Sequence, residues 1–362
     1  MEGRRAALVS VINQKEDNGL EELGLLAQTA GYLPVAEMVQ KRDKPDRAYY
    51  IGTGKIAELK ELCQKMEVDI VIFNNDISGI QFKNLEDSLG IDVIDRSTLI
   101  LEIFALHATS NEGKLQVELA RKKYSLPRVL GQGLVLSRQG GGGAGGGGAR
   151  RGGGEQQLEL DRRTIREEIR ELEQKIQKLT AERRLRRERR RKNRIKVVSI
   201  VGYTNAGKST LMNYLTKAGV LEEDKLFATL DPVSRKMWLA PQKEFIIVDT
   251  VGFISRLPHE FIKAFQSTLE ETKYADLIIH VVDSSSKNML KEYNVVMDVL
   301  KTIGAENVPV ITVMNKSDKQ TVDIEALPCK DQYVIISAKT GKGIEQLKQR
   351  ISLMLFGEEI SW

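Results

Sequence analysis

The most constraining feature of this chain is one run at residues 196–217. KVVSIV (196–201) reads as a buried strand, passes directly into GYTNAGKS (202–209), and continues into TLMNYLTK, which reads as a helix. Glycines between a strand and a helix let the backbone curl tightly. The N–H groups they expose join the helix N-terminus in a concave nest for phosphate. A strand that hands over to a helix in this way belongs to a parallel sheet with crossover helices. The run therefore predicts a doubly wound α/β domain over residues 195–362. Gly202, Tyr203, Thr204, Asn205, Ala206 and Gly207 form its predicted cradle. Lys208 is placed to reach the β- and γ-phosphates, and Ser209 to offer its hydroxyl to Mg²⁺.

Three further motifs follow in linear order and select the base and the reaction. FATLDP (227–232) supplies Phe227, Ala228, Thr229, Leu230 and Asp231 on a loop, where the Thr229 hydroxyl can close on Mg²⁺ and the γ-phosphate. A strand at 245–248 delivers Asp249, Thr250, Val251 and Gly252. The Asp249 carboxylate would hold the metal through water, and the Gly252 N–H would sense the γ-phosphate. After the strand 310–313 come Asn315, Lys316, Ser317 and Asp318. Two carboxylate oxygens of Asp318 match the N1 and N2 hydrogens of guanine, which adenine lacks. After the strand 333–336 come Ser337, Ala338 and Lys339, with the Ala338 N–H aimed at guanine O6. Four motifs at the carboxyl ends of predicted strands converge on the ligand edge of a doubly wound sheet. They predict a GTPase whose catalytic groups are Lys208, Thr229 and Gly252, with no side chain nominated as general base.

Two residues in these motifs admit structural readings as well. Phe253 stands where many small GTPases carry a water-orienting Gln; a phenyl ring either packs beneath the loop or leaves hydrolysis slow until a partner arranges the site. Asn205 resembles the Asn of potassium-stimulated GTPases, whose oxygen helps hold a monovalent cation beside the phosphates, which would make K⁺ an activator; it is equally a residue that tolerates a tight turn.

The N-terminal part repeats the strand–helix alternation. Strands are predicted at 7–12, 33–39, 69–73 and 91–94, and helices at 19–30, 55–66, 77–89 and 98–108, giving a parallel α/β domain over residues 1–110. IGTGK (51–55) lacks the full phosphate-loop spacing and reads as a glycine turn before a helix. Residues 111–194 form a third region. Residues 114–124 are helical in propensity, and 131–154 are so rich in glycine that a loop is predicted. From 158 to 191 there is no Gly or Pro, and Ile165, Ile169, Leu172, Ile176 and Leu179 make a heptad seam. A coiled-coil spacer would satisfy this pattern; an antiparallel helical hairpin also explains why the chain must reverse at the glycines.

Charge is concentrated. Residues 181–196 carry eight Arg, two Lys and two Glu, a net +8, while the whole chain is only +5. Such self-repelling charge is relieved by phosphates, so Arg183, Arg184, Arg186 and Arg187 are candidate RNA contacts, joined by Arg150 and Arg151 at the glycine tip. No aromatic residue interleaves this run, so base stacking is not expected there. Two distant cysteines and three scattered histidines exclude a disulfide framework and a histidine metal cluster, and fit a reducing cytoplasm. The longest apolar runs, such as DLIIHVV (276–282), fall far short of the ~20 residues of a membrane helix. No secretory signal is expected.

With these residues in place the chain resembles the HflX family of GTPases, in the translation-factor-related class. Beyond the GTPase motifs the resemblance rests on YIGTGKIAEL (50–59), DRSTLILEIFAL (95–106), HATSNEGKLQVELA (107–120), EQQLELDRR (155–163) and FISRLPHEFIKAFQSTLEE (253–271), and so spans nearly the whole chain. It implies a monomeric, cytoplasmic, Mg²⁺-dependent enzyme that associates with the large ribosomal subunit and its RNA. It further implies splitting or rescue of stalled ribosomes under stress, and a hairpin tip reaching toward the peptidyl-transferase RNA. The usual tip, close to GTRGPGETQLE, reads GARRGGGEQQLE here after a polyglycine run; Gln156 replaces a Thr and the Pro is absent. The chain stops at Trp362, so an extra C-terminal domain of longer relatives is not expected. Two rival readings are a regulatory GTPase acting on a protein, such as a membrane protease with peripheral membrane association, and an RNA-remodelling NTPase working through the N-terminal domain.

Overall fold

The computed structural model describes residues 3–13, 18–139, 151–216, 226–227, 233–240, 243–250, 252–256, 258, 261, 266–319 and 333–358. It divides into two compact units, Met1–Leu106 with Lys114–Ile176, and His107–Gly113 with Gln177–Trp362. The predicted middle region 111–194 is thus shared between the two units.

In the first unit β1 (Arg5–Ile12), β2 (Leu33–Lys41), β3 (Ile70–Phe73) and β4 (Asp92–Asp95) form a parallel sheet in the order β2-β1-β3-β4. Crossovers are α1 (Leu20–Thr29), α2 (Thr53–Lys65) and α3 (Gly79–Leu89), followed by α4 (Arg96–His107). Residues 6–12 of β1 are all buried, as expected of a central parallel strand covered on both faces. One face packs Val9, Val71, Phe73 and Val93 with Leu59 and Leu85 of the helices. Ser78 and Gln81 close a capping box at the start of α3.

Two long helices follow, α5 (Asn111–Gln139) and α6 (Arg151–Lys192). The predicted loop over 131–154 is therefore corrected at both ends, because helix covers 131–139 and 151–154. LVLSRQ (134–139) contains good helix formers, and a glycine in a helix costs only about 1 kcal/mol relative to Ala. Residues 140–150 lie outside those described. The pairing runs antiparallel: Lys123 meets Glu173 at 2.7 Å in the first unit, and Glu112 meets Arg183 at 2.7 Å in the second. On the predicted seam Leu172 is buried, and Ile165, Ile169, Ile176 and Leu179 are half-buried.

The second unit holds a six-stranded sheet in the order β10-β9-β8-β5-β7-β6. Its strands are β5 (Lys196–Gly202), β6 (Val233–Ala240), β7 (Lys243–Asp249), β8 (Leu277–Asp283), β9 (Val310–Asn315) and β10 (Tyr333–Ile335). All pairings are parallel except β6 with β7. The helices are α7 (Lys208–Thr216), α8 (Gln266–Lys273), α9 (Met289–Thr302) and α10 (Ile344–Phe356). Val198, Ile200, Ile279, Val281 and Val313 pack against Leu211, Met212, Leu347 and Ile351 in the core. This is the expected doubly wound P-loop architecture, and β6 adds an antiparallel edge strand to it.

Candidate functional site: a guanine-nucleotide cradle

The site lies at the carboxyl edge of the six-stranded sheet, where β5, β7 and β9 end. β5 ends at Gly202 and α7 begins at Lys208, so five residues make the whole turn. Asn205 sits at φ 60° and Gly207 at φ 92°. Asn tolerates the left-handed region and Gly occupies it freely, so the turn by itself accounts for both. A Cβ on Gly207 would overlap the Asn315 amide, and one on Gly202 would overlap the Val281 carbonyl. A Cβ on Gly252 would come within 2.9 Å of Thr204 Cγ2 and 3.0 Å of Lys208 Nζ. Three glycines thus allow backbone from three strands to converge on one small volume.

Lys208 is buried, and its Nζ donates to the Tyr203 carbonyl at 2.8 Å. Burial pushes its ammonium down to about 8, with Asp249 acting to raise it and Lys316 to lower it further. An ammonium held at the loop with its desolvation already incurred is suited to an incoming phosphate. The Ser209 hydroxyl donates to Asp249 Oδ2 at 3.0 Å, and Asp249 is fully buried. A hydroxyl and a carboxylate side by side are hard oxygen donors, the set that Mg²⁺ prefers. The residues present therefore fit a magnesium ion. Thr250 turns its hydroxyl back to the Ile200 carbonyl at 2.7 Å, joining β7 to β5. Its position is structural in this geometry.

The segment after β7 is tied to the cradle. Phe253 N–H donates to the Gly202 carbonyl at 3.1 Å, and the Phe253 carbonyl accepts from Thr204 N–H at 2.7 Å. The Tyr203 hydroxyl accepts from Ser255 N–H at 2.7 Å. Phe253 is buried with Val201, Leu269 and Ile278, so its ring packs beneath the loop.

The base-recognition loops are joined to each other and to the cradle. Asn315 Nδ2 donates to the Ala206 carbonyl at 2.8 Å, and Asn315 Oδ1 accepts from Ala338 N–H at 2.9 Å. The Ser337 hydroxyl donates to Asp318 Oδ1 at 2.6 Å, which holds the Asp318 carboxyl below its usual range. Asp318 thus stays ionised, and ready to accept two hydrogens, through the physiological range. Lys316, at φ 64°, pairs with Asp283 at 2.7 Å. Ser317 N–H bonds the Ile336 carbonyl at 3.1 Å. The Ala338 N–H, assigned to guanine O6 from sequence, is given to Asn315 here, so O6 would share it. Lys339 is exposed beside Ala338. The bridging role of Asn315 could have been sought in the sequence only as a buried amide between two loops.

Of the remaining predicted residues, Phe227 is buried at φ 58°. Ala228, Thr229, Leu230, Asp231 and Val251 lie outside the described residues, as does Arg150. Arg151 opens α6. The arginine run divides by helical face. Arg183 and Arg187 turn inward onto Glu112, Glu270 and Glu271, whereas Arg184 and Arg186 stay 79% and 71% exposed and pair along the helix with Glu188 and Glu182. The inward pairing was not legible from a charge run. Among the described residues no cluster of His, Cys, Asp and Glu suits a metal ion, and no helix is long and apolar enough to cross a membrane.

A glycine cradle at a strand end, a hydroxyl–carboxylate pair beside it, and NKSD and SAK loops locked together define a P-loop GTPase domain. Comparison with known proteins extends this beyond the domain. Residues 17–105 match the GTP-binding GTPase N-terminal family, 107–190 the GTP-binding GTPase Middle Region, and 197–316 the 50S ribosome-binding GTPase family. GTPase HflX of Caldanaerobacter subterraneus subsp. tengcongensis is 49% identical over 98% of this chain and 81% of its own. GTPase HflX of Escherichia coli K12 is 39% identical over 98% of this chain and 84% of its own. The crystal structure of a GTP-binding protein from Sulfolobus solfataricus in complex with GDP is 26% identical, with a TM-score of 0.52 over 98% of this chain and 99% of that one. The chain belongs to the HflX family of GTPases, and it hydrolyses GTP.

Proposed function

We propose that this GTPase works on the large ribosomal subunit, using GTP-dependent closure of its loops to stabilise a bound state that splits or rescues stalled ribosomes. The observation that carries the reading is the match of residues 197–316 to the 50S ribosome-binding GTPase family. The outward face of α6, with Arg184 and Arg186 exposed, supports it by offering charge to RNA phosphates. Arg150 and Arg151 at the tip belong to the same proposal, as do a cytoplasmic, ribosome-associated location and a monomeric state.

In the proposed reaction Lys208 neutralises charge on the β/γ-phosphates, Gly252 N–H meets the γ-phosphate, and Asp318 and Ala338 read guanine. Ser209 and Thr229 would hold Mg²⁺ directly and Asp249 through water; the bound ion supplies charge neutralisation across the phosphates. Catalysis is positioning and electrostatics, with no general base among these side chains. K⁺ activation at Asn205 rests on the resemblance, and exchanging KCl for NaCl in a GTPase assay tests it.

Cosedimentation with large subunits and whole ribosomes, with a non-hydrolysable GTP analogue or GDP, tests the partner. Binding should be stronger with the analogue and fall steeply with salt. Replacing Arg184 and Arg186 with Gln should weaken binding and flatten its salt dependence, leaving ribosome-free hydrolysis near wild type. Recovery with membranes rather than ribosomes would sink the proposal. Asp318→Asn should lose GTP affinity and gain xanthosine nucleotide, since an amide can serve the 2-oxo group. Equal GTP binding by wild type and variant would remove Asp318 from the base site.

A further inference from the structure

The inward face of the arginine run has a use that RNA binding does not explain. Arg187 and Arg190 lie three residues apart on α6, so their side chains share one face. Both reach α8. Arg190 donates to Glu271 Oε2 at 2.9 Å, and Arg187 lies 3.5 Å from Glu271 Oε1 and 3.7 Å from Glu270. The Arg187 guanidinium also lies over the Tyr274 ring, 3.9 Å from its centre. Glu271 is only 9% exposed and the two arginines are about one-fifth exposed, so these charges are largely out of water. Removing one partner leaves the other charge badly solvated, unlike a pair on an open surface.

What α8 touches on its other sides gives the clamp its meaning. Thr272 bonds Ser199 of β5 at 2.9 Å, through two fully buried hydroxyls. Leu269 packs in the same buried cluster as Phe253 and Val201. Phe253 follows Gly252 directly and is hydrogen-bonded to Gly202 and Thr204 of the cradle. Meanwhile α6 itself runs through Arg194 and Ile195 into β5 and on to the phosphate loop. The helix α8 is therefore gripped between the arginines of α6 and the strand that carries the cradle. The buried cluster that holds both Leu269 and Phe253 links it to the residue after Gly252.

We infer that Arg187 and Arg190, through Glu271, position α8 and with it the Gly252 segment, so that α6 sets how well the GTP site is assembled for hydrolysis. The arginines touch no substrate in this scheme; they are positioning residues. The inference rests on the GTPase activity alone and holds whether or not the ribosomal reading does.

The test uses the full chain without ribosomes. The variants are Arg187→Gln/Arg190→Gln, Glu271→Gln, and all three changes together. Steady-state GTP hydrolysis gives kcat and KM, fluorescent GDP gives nucleotide affinity, and thermal melting reports the fold. The expected result is a fall in kcat of roughly three- to thirtyfold in the double-arginine variant and in Glu271→Gln. KM and GDP affinity should stay within about twofold, and the triple variant should be no slower than the double, because both remove one link. Wild-type kcat in all variants, losses that multiply in the triple, or a rise in kcat would each overturn the proposal. If the neutral variants do not fold, Arg190→Lys carries the test by keeping the charge and losing the two-pronged guanidinium. A lowered kcat at unchanged GDP affinity supports the proposal there, and an unchanged kcat overturns it.

Discussion

Both sheets are built on parallel strands and both end in a polar carboxyl edge, but one edge is filled by its own side chains and the other is lined by glycines. Beyond β3 and β4 the N-terminal unit packs its own side chains into the crevice. Asn74 Nδ2 donates to the Asn18 carbonyl at 2.9 Å, Asn75 bonds both backbone groups of Val11, and buried Arg96 joins Asn74 to Glu22. Fully buried Asp95 accepts from Thr98 and from the Tyr124 hydroxyl of α5, the latter at 2.5 Å. At the C-terminal sheet the corresponding positions are Gly202, Ala206, Gly207 and Gly252, which carry little or no side chain, with Lys208 held beside them on the Tyr203 carbonyl. The lesson is that a doubly wound sheet offers a crevice, and side-chain volume decides whether it becomes a site.

Glycine substitution breaks this comparison most sharply. Gly207→Ala places a methyl on the Asn315 amide at φ 92° and so disturbs both the cradle and the base loop. Backbone strain and a displaced buried amide should together lower GDP affinity roughly a hundredfold or more. The matched change in the N-terminal IGTGK turn is Gly54→Ala, where an added Cβ meets nothing within 4 Å. Its Lys55 is paired to Glu58, and Gly52 N–H is given to Gln40 at 3.0 Å. GDP affinity should be unchanged there and stability equal or higher by up to about 1 kcal/mol. Calorimetric titration with GDP reads both. A loss of affinity in Gly54→Ala would mean the filled edge binds nucleotide after all.

A smaller effect is expected at the filled edge itself. Tyr124→Phe keeps the ring and removes the hydroxyl that donates to Asp95 and, at 3.2 Å, to Asp76. The buried Asp95 carboxylate loses a donor, which should cost about 1–3 kcal/mol in urea unfolding. GTP hydrolysis should not change. If the unfolding curve is unmoved, the network is not what fills and holds that edge.

The difference between the two edges was only half legible in the sequence. The cradle could be read because its glycines, Lys208 and Ser209 are contiguous, and strand and helix flank them. The filling of the N-terminal edge could not, because Asn18, Asn74, Arg96 and Tyr124 come from four separate segments and meet only after folding. Strand β6 escaped for a related reason: SRKMW alternates too weakly to announce a strand, and its pairing with β7 decides it. The arginine run was legible as charge but not as two faces. Glu112, Glu270 and Glu271, about seventy or more residues away, take Arg183, Arg187 and Arg190 inward.

The smallest expected effect is on the pH dependence of stability, and it tests how dry the C-terminal core is behind its open edge. His280 lies on β8 opposite Val201 of β5 and stacks on Tyr293, with ring centres 4.9 Å apart. Burial, with the Lys208 charge as the lesser cause, depresses its imidazole to about 3 from an ordinary 6.5. The folded chain therefore holds His280 neutral, while the unfolded chain takes up a proton below pH 6.5. Stability from this group is fully present above 6.5 and is lost as pH falls from there toward 3. The slope approaches about 1.4 kcal/mol per pH unit in the middle of that window. His280→Phe, which retains an aromatic ring against Tyr293, should lack this component. Urea unfolding followed between pH 7 and pH 5 should then show a shallower decline in the variant than in wild type. Parallel declines would mean that His280 already meets water, and that the contrast between a dry sheet interior and its ligand edge is weaker than the packing implies.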